Sequence, residues 1–203
     1  GRAMKDFEKF FEDVPSDSLS AVIAVAMDMN ASYNKLVTKH LPKARIVYDR
    51  FHMQSQFARD VLGSVRLDEA RRHKAKEKEI LADISDDTDK ETMKSLKQEA
   101  KAEKQEYSQL KKLRWSLLTN SDKLSDSKTE QLQSILQDHH DLAVCYAMKE
   151  EMCILYELTD YQQAVVGWTK WFQAAKESEI PASVRFAVQK EKRRPPKSLC
   201  KSE

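Results

Sequence analysis

Glycine is nearly missing from this chain: 3 residues in 203, with only 5 prolines, where an average composition carries about 7% glycine. Accordingly there is no glycine-rich phosphate loop and no nucleophile elbow, and no Ser-His-Asp ordering stands in for them. Cysteine is scarce too. The three, Cys145, Cys153 and Cys200, form no CxxC pair and their odd number completes no disulfide framework, so a reducing compartment is expected. No apolar run approaches the ~20 residues that span a bilayer, and the charged N-terminus lacks the apolar region of a signal peptide. Nor is one sign of charge in excess. The 35 Lys plus Arg against 33 Asp plus Glu leave +2, too little for a global field that would name nucleic acid or a membrane as partner. These absences predict a soluble, cytoplasmic protein built of long helices with few tight turns.

What is present is first a pair of short strand-like runs. Residues 21–27 (Ala-Val-Ile-Ala-Val-Ala-Met) end on Asp28, and residues 44–48 (Ala-Arg-Ile-Val-Tyr) end on Asp49, which opens an Asp-Arg-Phe-His stretch closed by His52. Each run delivers a carboxylate where a strand gives way to a loop or helix, and in open α/β sheets chemistry tends to sit there. The first run is apolar on both faces, which predicts an internal strand parallel to its partner. Met4, Phe7, Phe10, Phe11 and Val14 lie on one face of a helix before it, and Asn30 and Ser32 open a short helix to about His40. Helix, strand, helix, strand is the order of a parallel crossover.

Beyond Asp49 the pattern is helical. A helix from 51 to about 84 carries Phe57, Val61, Leu62 and Val65 and fades into the charged run 71–78. A second runs from about 90 to 118 with Met93, Leu96, Ala100, Tyr107, Leu110 and Leu117 on a partial heptad seam, interrupted by Glu103 and Arg114. Together they predict an antiparallel coiled-coil arm over about 66–118. Three further helices, from Ser125 or Ser127 through Leu136, over 141–158 and over 161–177, have apolar stripes wide enough to require packing as a small bundle. The charged, proline-interrupted stretch after 188 predicts a flexible tail.

Asp28 is the strongest chemical candidate, because a carboxylate just past a buried strand is rigidly placed and suits a hard cation such as Mg²⁺. Its structural alternative is a helix cap or turn acid. Asp49 and His52, three apart, share the first turn of any helix that starts there, as a D-x-x-H pair or as a capping Asp with a His on the same surface. The run His139, His140, Asp141 with Cys145 hints at zinc, yet no ligand pair has standard spacing, so solvated histidines are expected. Cys145, Cys153, Trp168 and Trp171 read as core. Arg71 and Arg72, and further on Lys111, Lys112 and Arg114, offer phosphate contacts, but the interleaved acids equally describe a solvated helix face.

Several of these stretches resemble a known family, the DDE-type insertion-sequence transposases of the ISL-three group. The resemblance rests on Val25-Ala-Met-Asp-Met29 with Tyr33, on Leu41-Pro-Lys-Ala-Arg-Ile-Val-Tyr-Asp-Arg-Phe-His52, and on Val65-Arg66. It continues through Leu110-Lys-Lys-Leu-Arg-Trp-Ser-Leu-Leu-Thr-Asn120, through 143–150 around Tyr146 and Lys149, and through 168–181, reaching about Ala187. It implies an α/β remnant of an RNase H-like core over 1–56, followed by a large all-α insertion over 57–187, mainly helical overall. It further implies three acidic residues holding two Mg²⁺ (or Mn²⁺) ions that drive an in-line displacement at phosphate. By position Asp28 resembles the second catalytic and metal-holding aspartate, and Asp49 with His52 the D-x-x-H signature that follows it. DNA, as transposon ends and target, and further copies of the chain are the implied partners, in a bacterial, nucleoid-associated setting.

The family's first acid is expected ahead of residue 1 and its last beyond the C-terminus, so this polypeptide alone is expected to be inert. Two strands taken from the middle of a sheet would also offer unpaired edges to a second copy. Two other functions fit the same residues: an interaction module working through its coiled-coil arm, and a helical DNA-binding module without catalysis.

Overall fold

The computed structural model describes residues 4–27 and 30–193. It divides into two compact units, Gly1–Gln56 with Glu151–Glu179 and Val184–Glu203, and Phe57–Glu150 with Ile180–Ser183.

In the first unit the aromatic face predicted near the N-terminus forms helix α1 (Met4–Asp13). Phe11 is buried with Leu36 and Val37 of α3 (Ala31–His40) and with Leu41, and Val25, Met27 and Ile46 pack against that cluster. Phe11 stacks on His40 at 4.6 Å between ring centroids. At the rim Lys39 Nζ meets Glu8 Oε1 at 2.7 Å, joining α1 to α3. A one-turn helix, α2 (Ser16–Ser20), lies between α1 and β1. Pro15 precedes it with φ −55°, and a fixed φ of this size suits a helix start.

Strands β1 (Ala24–Met27) and β2 (Arg45–Tyr48) pair in parallel, in the register Ala24↔Arg45 through Met27↔Tyr48. Helix α3 is the crossover, opened by Asn30, whose side chain accepts the Ser32 N–H at 2.9 Å. The helix, strand, helix, strand order is therefore a parallel crossover. The first strand is shorter than its apolar run, because the Val22 N–H turns back to Leu19 O at 3.2 Å and Ile23 is 77% exposed. It is also half-buried rather than covered on both faces, with β2 its one partner among the described residues.

Helix α4 (Arg50–Phe57) follows β2. The rest of the first unit is helical: the C-terminal part of α9 (His140–Glu157), α10 (Tyr161–Glu177) and most of α11 (Pro181–Arg193). Trp168, Trp171 and Phe172 are fully buried, with Trp168 edge-on to Tyr156 at 4.9 Å. Gly167 permits this approach of α10 to α9, since a Cβ there would collide with the Leu155 side chain. Helix α11 continues through Arg193, where composition predicts a flexible tail from 188.

The second unit begins with a π-helical turn, Ala58–Leu62, that runs directly into α5 (Gly63–Ala82). The widened turn brings Ala58 O within 3.3 Å of where a Cβ on Gly63 would stand. Helix α5 packs antiparallel on α6 (Lys90–Lys112), Arg66 lying opposite Leu110 and His73 opposite Glu103. Asp89 caps α6 by accepting the Glu91 and Thr92 N–H groups, both at 2.9 Å. At the other end of α6 the buried Arg66 donates to the carbonyls of Leu110 and Lys111 at 3.1 and 3.3 Å, satisfying groups a helix C-terminus leaves open.

The sequence predicts one helix to 118, but α6 ends at Lys112 and α7 (Arg114–Leu118) follows as a separate turn. Helix α8 (Asp126–Asp138) buries Leu132 and Ile135 and packs on α7. Leu142, Cys145 and Met148 are buried on the first part of α9. No helix among the described residues is long and apolar enough to cross a membrane.

Truncating a fully buried indole removes both its transfer free energy and its packing partners. Trp168→Ala is therefore expected to cost about 3–5 kcal/mol in urea denaturation followed by far-UV circular dichroism.

Candidate functional site

The C-terminal ends of β1 and β2 lie side by side, Met27 paired with Tyr48. Past the last register pair, Met27↔Tyr48, the ladder gains one more bond, from the Asp49 N–H to Met27 O at 3.1 Å. The backbone of residue 49 is thus fixed beside the end of β1. Asp28, the next residue in the sequence after Met27, lies outside the described residues.

Asp49 is the N-cap of α4. Its Oδ1 accepts the Phe51 N–H at 2.9 Å, and its Oδ2 accepts from His52 Nδ1 at 2.9 Å. A carboxylate at a helix start satisfies an otherwise open N–H and meets the positive end of the helix dipole. The hydrogen bond from His52 is the main cause that holds the Asp49 carboxyl below its ordinary 3.8, with the Phe51 N–H next. Both groups are partly open to solvent, their side chains 46% and 41% exposed. Arg50, the first residue of α4, pairs with Glu157 and lies 6.0 Å from the Tyr156 ring centre. The spacing of Asp49 and His52 thus becomes a real contact, and its form is the cap with a histidine on the same surface.

The basic candidates are all on the second unit and all exposed. Arg71 is paired with Asp68 at 2.7 Å and Arg72 with Glu69 at 2.6 Å, each one helical turn back. Arg114 lies 5.2 Å from the ring centre of Trp115, which is 69% exposed. Lys111 and Lys112 end α6 beside it. Cys145 is buried, and burial with the nearby Asp141 pushes its thiol up to about 12, so it is packing rather than a thiolate ligand. Cys153 Sγ accepts from Gln54 Nε2 at 3.2 Å.

One expectation needs correction. His140 is exposed, but His139 is buried and lies between Glu69 and Glu106. Sequence reasoning missed this grouping because its members are dispersed. The available signal was the four-residue spacing of Glu69 and His73, which puts both on one face of α5.

The sequence profile of a family described as transposase, that of the ISL-three DDE type, matches residues 1–194. The chain belongs to this family. It is also 29% identical over 187 residues to the transposase for insertion sequence element IS1001 of Bordetella parapertussis, covering 92% of this chain and 39% of that protein. The chain thus spans about two fifths of the length of the curated relative it matches. No solved structure matches it.

The Asp49 contact makes a prediction with a definite sign. Because the folded carboxyl titrates below 3.8, its contribution to stability is complete above that pH and is lost as pH falls through the lowered folded value. In a carboxyl NMR titration His52→Ala should return the Asp49 midpoint upward, and Asp49→Ala should cost about 1 kcal/mol at neutral pH as a lost cap.

Proposed function

We propose that this chain is part of a longer DNA transposase and that its first unit carries a portion of an RNase H-like catalytic core. The observation that supports this most is the register. Met27 and Tyr48 are paired strand ends, and the sequence follows each with an acid, Asp28 and Asp49. On this reading Asp28 is the catalytic carboxylate, and the helices from Phe57 to about Ala187 form an insertion that works on DNA. The reaction is metal-dependent cleavage and transfer of DNA strands at transposon ends and target, carried out by a homo-oligomer. Two-stranded pairing, with the outer edge of each strand unpartnered among the described residues, supports assembly with other sheet-forming segments.

The donor chemistry divides the candidates. Mg²⁺ and Mn²⁺ prefer oxygen ligands, which Asp28 offers. Both Asp49 oxygens already accept hydrogen bonds and His52 presents nitrogen, so this pair suits positioning of the first turn of α4 better than holding the ion. A divalent ion bound in the whole enzyme would supply Lewis-acid stabilisation of charge on the reacting phosphate. Asp28 alone is a weak ligand for it, so the isolated polypeptide is proposed to be inert.

A pure interaction module is less well supported. The arm helices α5 and α6 pack on each other, and Ala70, Ala100 and Leu110 are buried there, which occupies the apolar seam within the chain. Contact with DNA by the second unit is favoured by Lys111, Lys112 and Arg114 with the exposed Trp115, a basic cluster with an aromatic neighbour.

In a full-length transposase containing this chain, Asp28→Asn should reduce cleavage of transposon-end DNA to background in Mg²⁺ or Mn²⁺ while gel-shift binding is kept. Cleavage at the wild-type rate would overturn the catalytic assignment. Replacing Lys111, Lys112 and Arg114 together by Ala should flatten the plot of log affinity against log salt by roughly 2.7, at ~0.9 per lost phosphate contact. An unchanged slope would remove these residues from the DNA surface.

A further inference from the structure

The helical unit contains a cluster of metal-binding type that the transposase reading does not use. Glu69 and His73 stand one turn apart on α5, and His139 occupies the joint between α8 and α9. One donor atom from each lies within 4.8 Å of the other two. His139 is only 6% exposed, and its buried Nε2 makes no hydrogen bond. The nearest carboxylate oxygen to that nitrogen, Glu106 Oε2, is 3.8 Å away, and Glu69 Oε2 stands 3.6 Å from Nδ1 of the same ring. A buried imidazole nitrogen without a partner is costly.

The surroundings are those of a ligand set. His73 Nδ1 is bonded to Glu103 Oε2 at 2.6 Å, which fixes that tautomer and leaves Nε2 as the lone-pair nitrogen, the carboxylate–histidine arrangement found behind metal-bound imidazoles. Glu69 Oε1 is held by Arg72 at 2.6 Å, leaving Oε2 on the histidine side. Three carboxylates, Glu69, Glu103 and Glu106, face the cations Arg72 and Lys76. The local charge therefore favours a cation.

The geometry points to a divalent transition-metal site at Glu69, His73 and His139, with Zn²⁺ the ion that best suits two imidazoles and one carboxylate. Mg²⁺ is disfavoured by the nitrogen donors. The 4.8 Å span exceeds the about 3.4 Å edge of a tetrahedral zinc shell, so the three side chains close by rotation as the ion enters. Water or Glu106 supplies the fourth ligand. Bound there, zinc cross-links α5 to the α8–α9 joint and fixes the base of the α5–α6 hairpin. This does not depend on the catalytic assignment of Asp28.

Chain freed of metal by chelation and dialysis is titrated with Zn²⁺ in a calorimeter and with Co²⁺ by visible absorption. The expected result is one saturable Zn²⁺ per chain, a rise in melting temperature, and the d–d bands of tetrahedral Co²⁺. Glu69→Gln and His73→Gln should each weaken binding by at least about tenfold, and Glu103→Gln by about 10–100-fold because it orients the His73 ring. His140→Ala, at the exposed neighbour, should leave affinity unchanged. Both ligand substitutions are at partly exposed positions, and circular dichroism of each variant separates lost binding from lost folding. Absence of saturable binding by the folded wild type, or binding undiminished in the folded Glu69→Gln/His73→Gln variant, would overturn the proposal.

Discussion

A four-residue parallel ladder holds the first unit to its purpose. Parallel pairing is weaker per residue than antiparallel, and two strands alone are at best marginal in water, so β1 and β2 persist only because α1 and α3 cover one of their faces. Register and burial are the same constraint here. Val25 and Ile46 are cross-strand partners, and both turn toward the Phe11, Leu36 and Val37 cluster. A slip of one residue would send Arg45 or Val47 to that face instead. The fixed register in turn sets the Asp49 N–H on Met27 O, and the cap of α4 is built on that backbone position.

The arm of the second unit answers a different problem: α5 and α6 carry many charged and few apolar residues. Helices of this composition gain little from propensity alone and need a partner. The arm supplies one by folding back on itself, and one interruption in its seam is a bridge between the helices. Glu103 leaves the heptad pattern because it faces His73 across the pair. Arg66, buried and with its guanidinium held below its ordinary value chiefly by desolvation, closes the end of α6. Lys149, also buried, donates to Thr119 O at 2.8 Å, while Ser121 Oγ donates to the adjacent Glu150 at 2.7 Å. Val65-Arg66, the 110–120 stretch and the segment around Lys149 are parts of the sequence that carry the family resemblance. In three dimensions they are joints where a charged side chain reaches another helix's open carbonyls.

What was legible in the sequence was whatever a local signal determines. The strand pair, the Asn30 cap and the span of α10 follow from periodicity and capping chemistry. What was not legible depends on distant partners or on a change of helical period. The π turn at 58–62 inserts into an uninterrupted helical pattern and leaves no mark in composition. The break at Leu113 occurs without glycine or proline, and α11 continues through a charged stretch because its apolar residues, Phe186 and Ala187, are buried. His139 looked like a surface residue among polar neighbours. Its burial is set by α5, some 66 positions earlier in the chain.

Asp49 and His52 show why spacing in sequence identifies a constellation before it identifies a role. The pair is in contact, as a functional signature requires, yet every carboxylate oxygen is already an acceptor from this helix turn. A group so committed is stiff. Stiffness limits its use as a ligand, whose oxygens must face the ion, and favours its use as a support that holds α4 at a fixed angle to the strand end. The opposite condition holds at His139, where a buried nitrogen has no hydrogen bond. Such a nitrogen points to a ligand only where further donors converge on it, as Glu69 and His73 converge on His139.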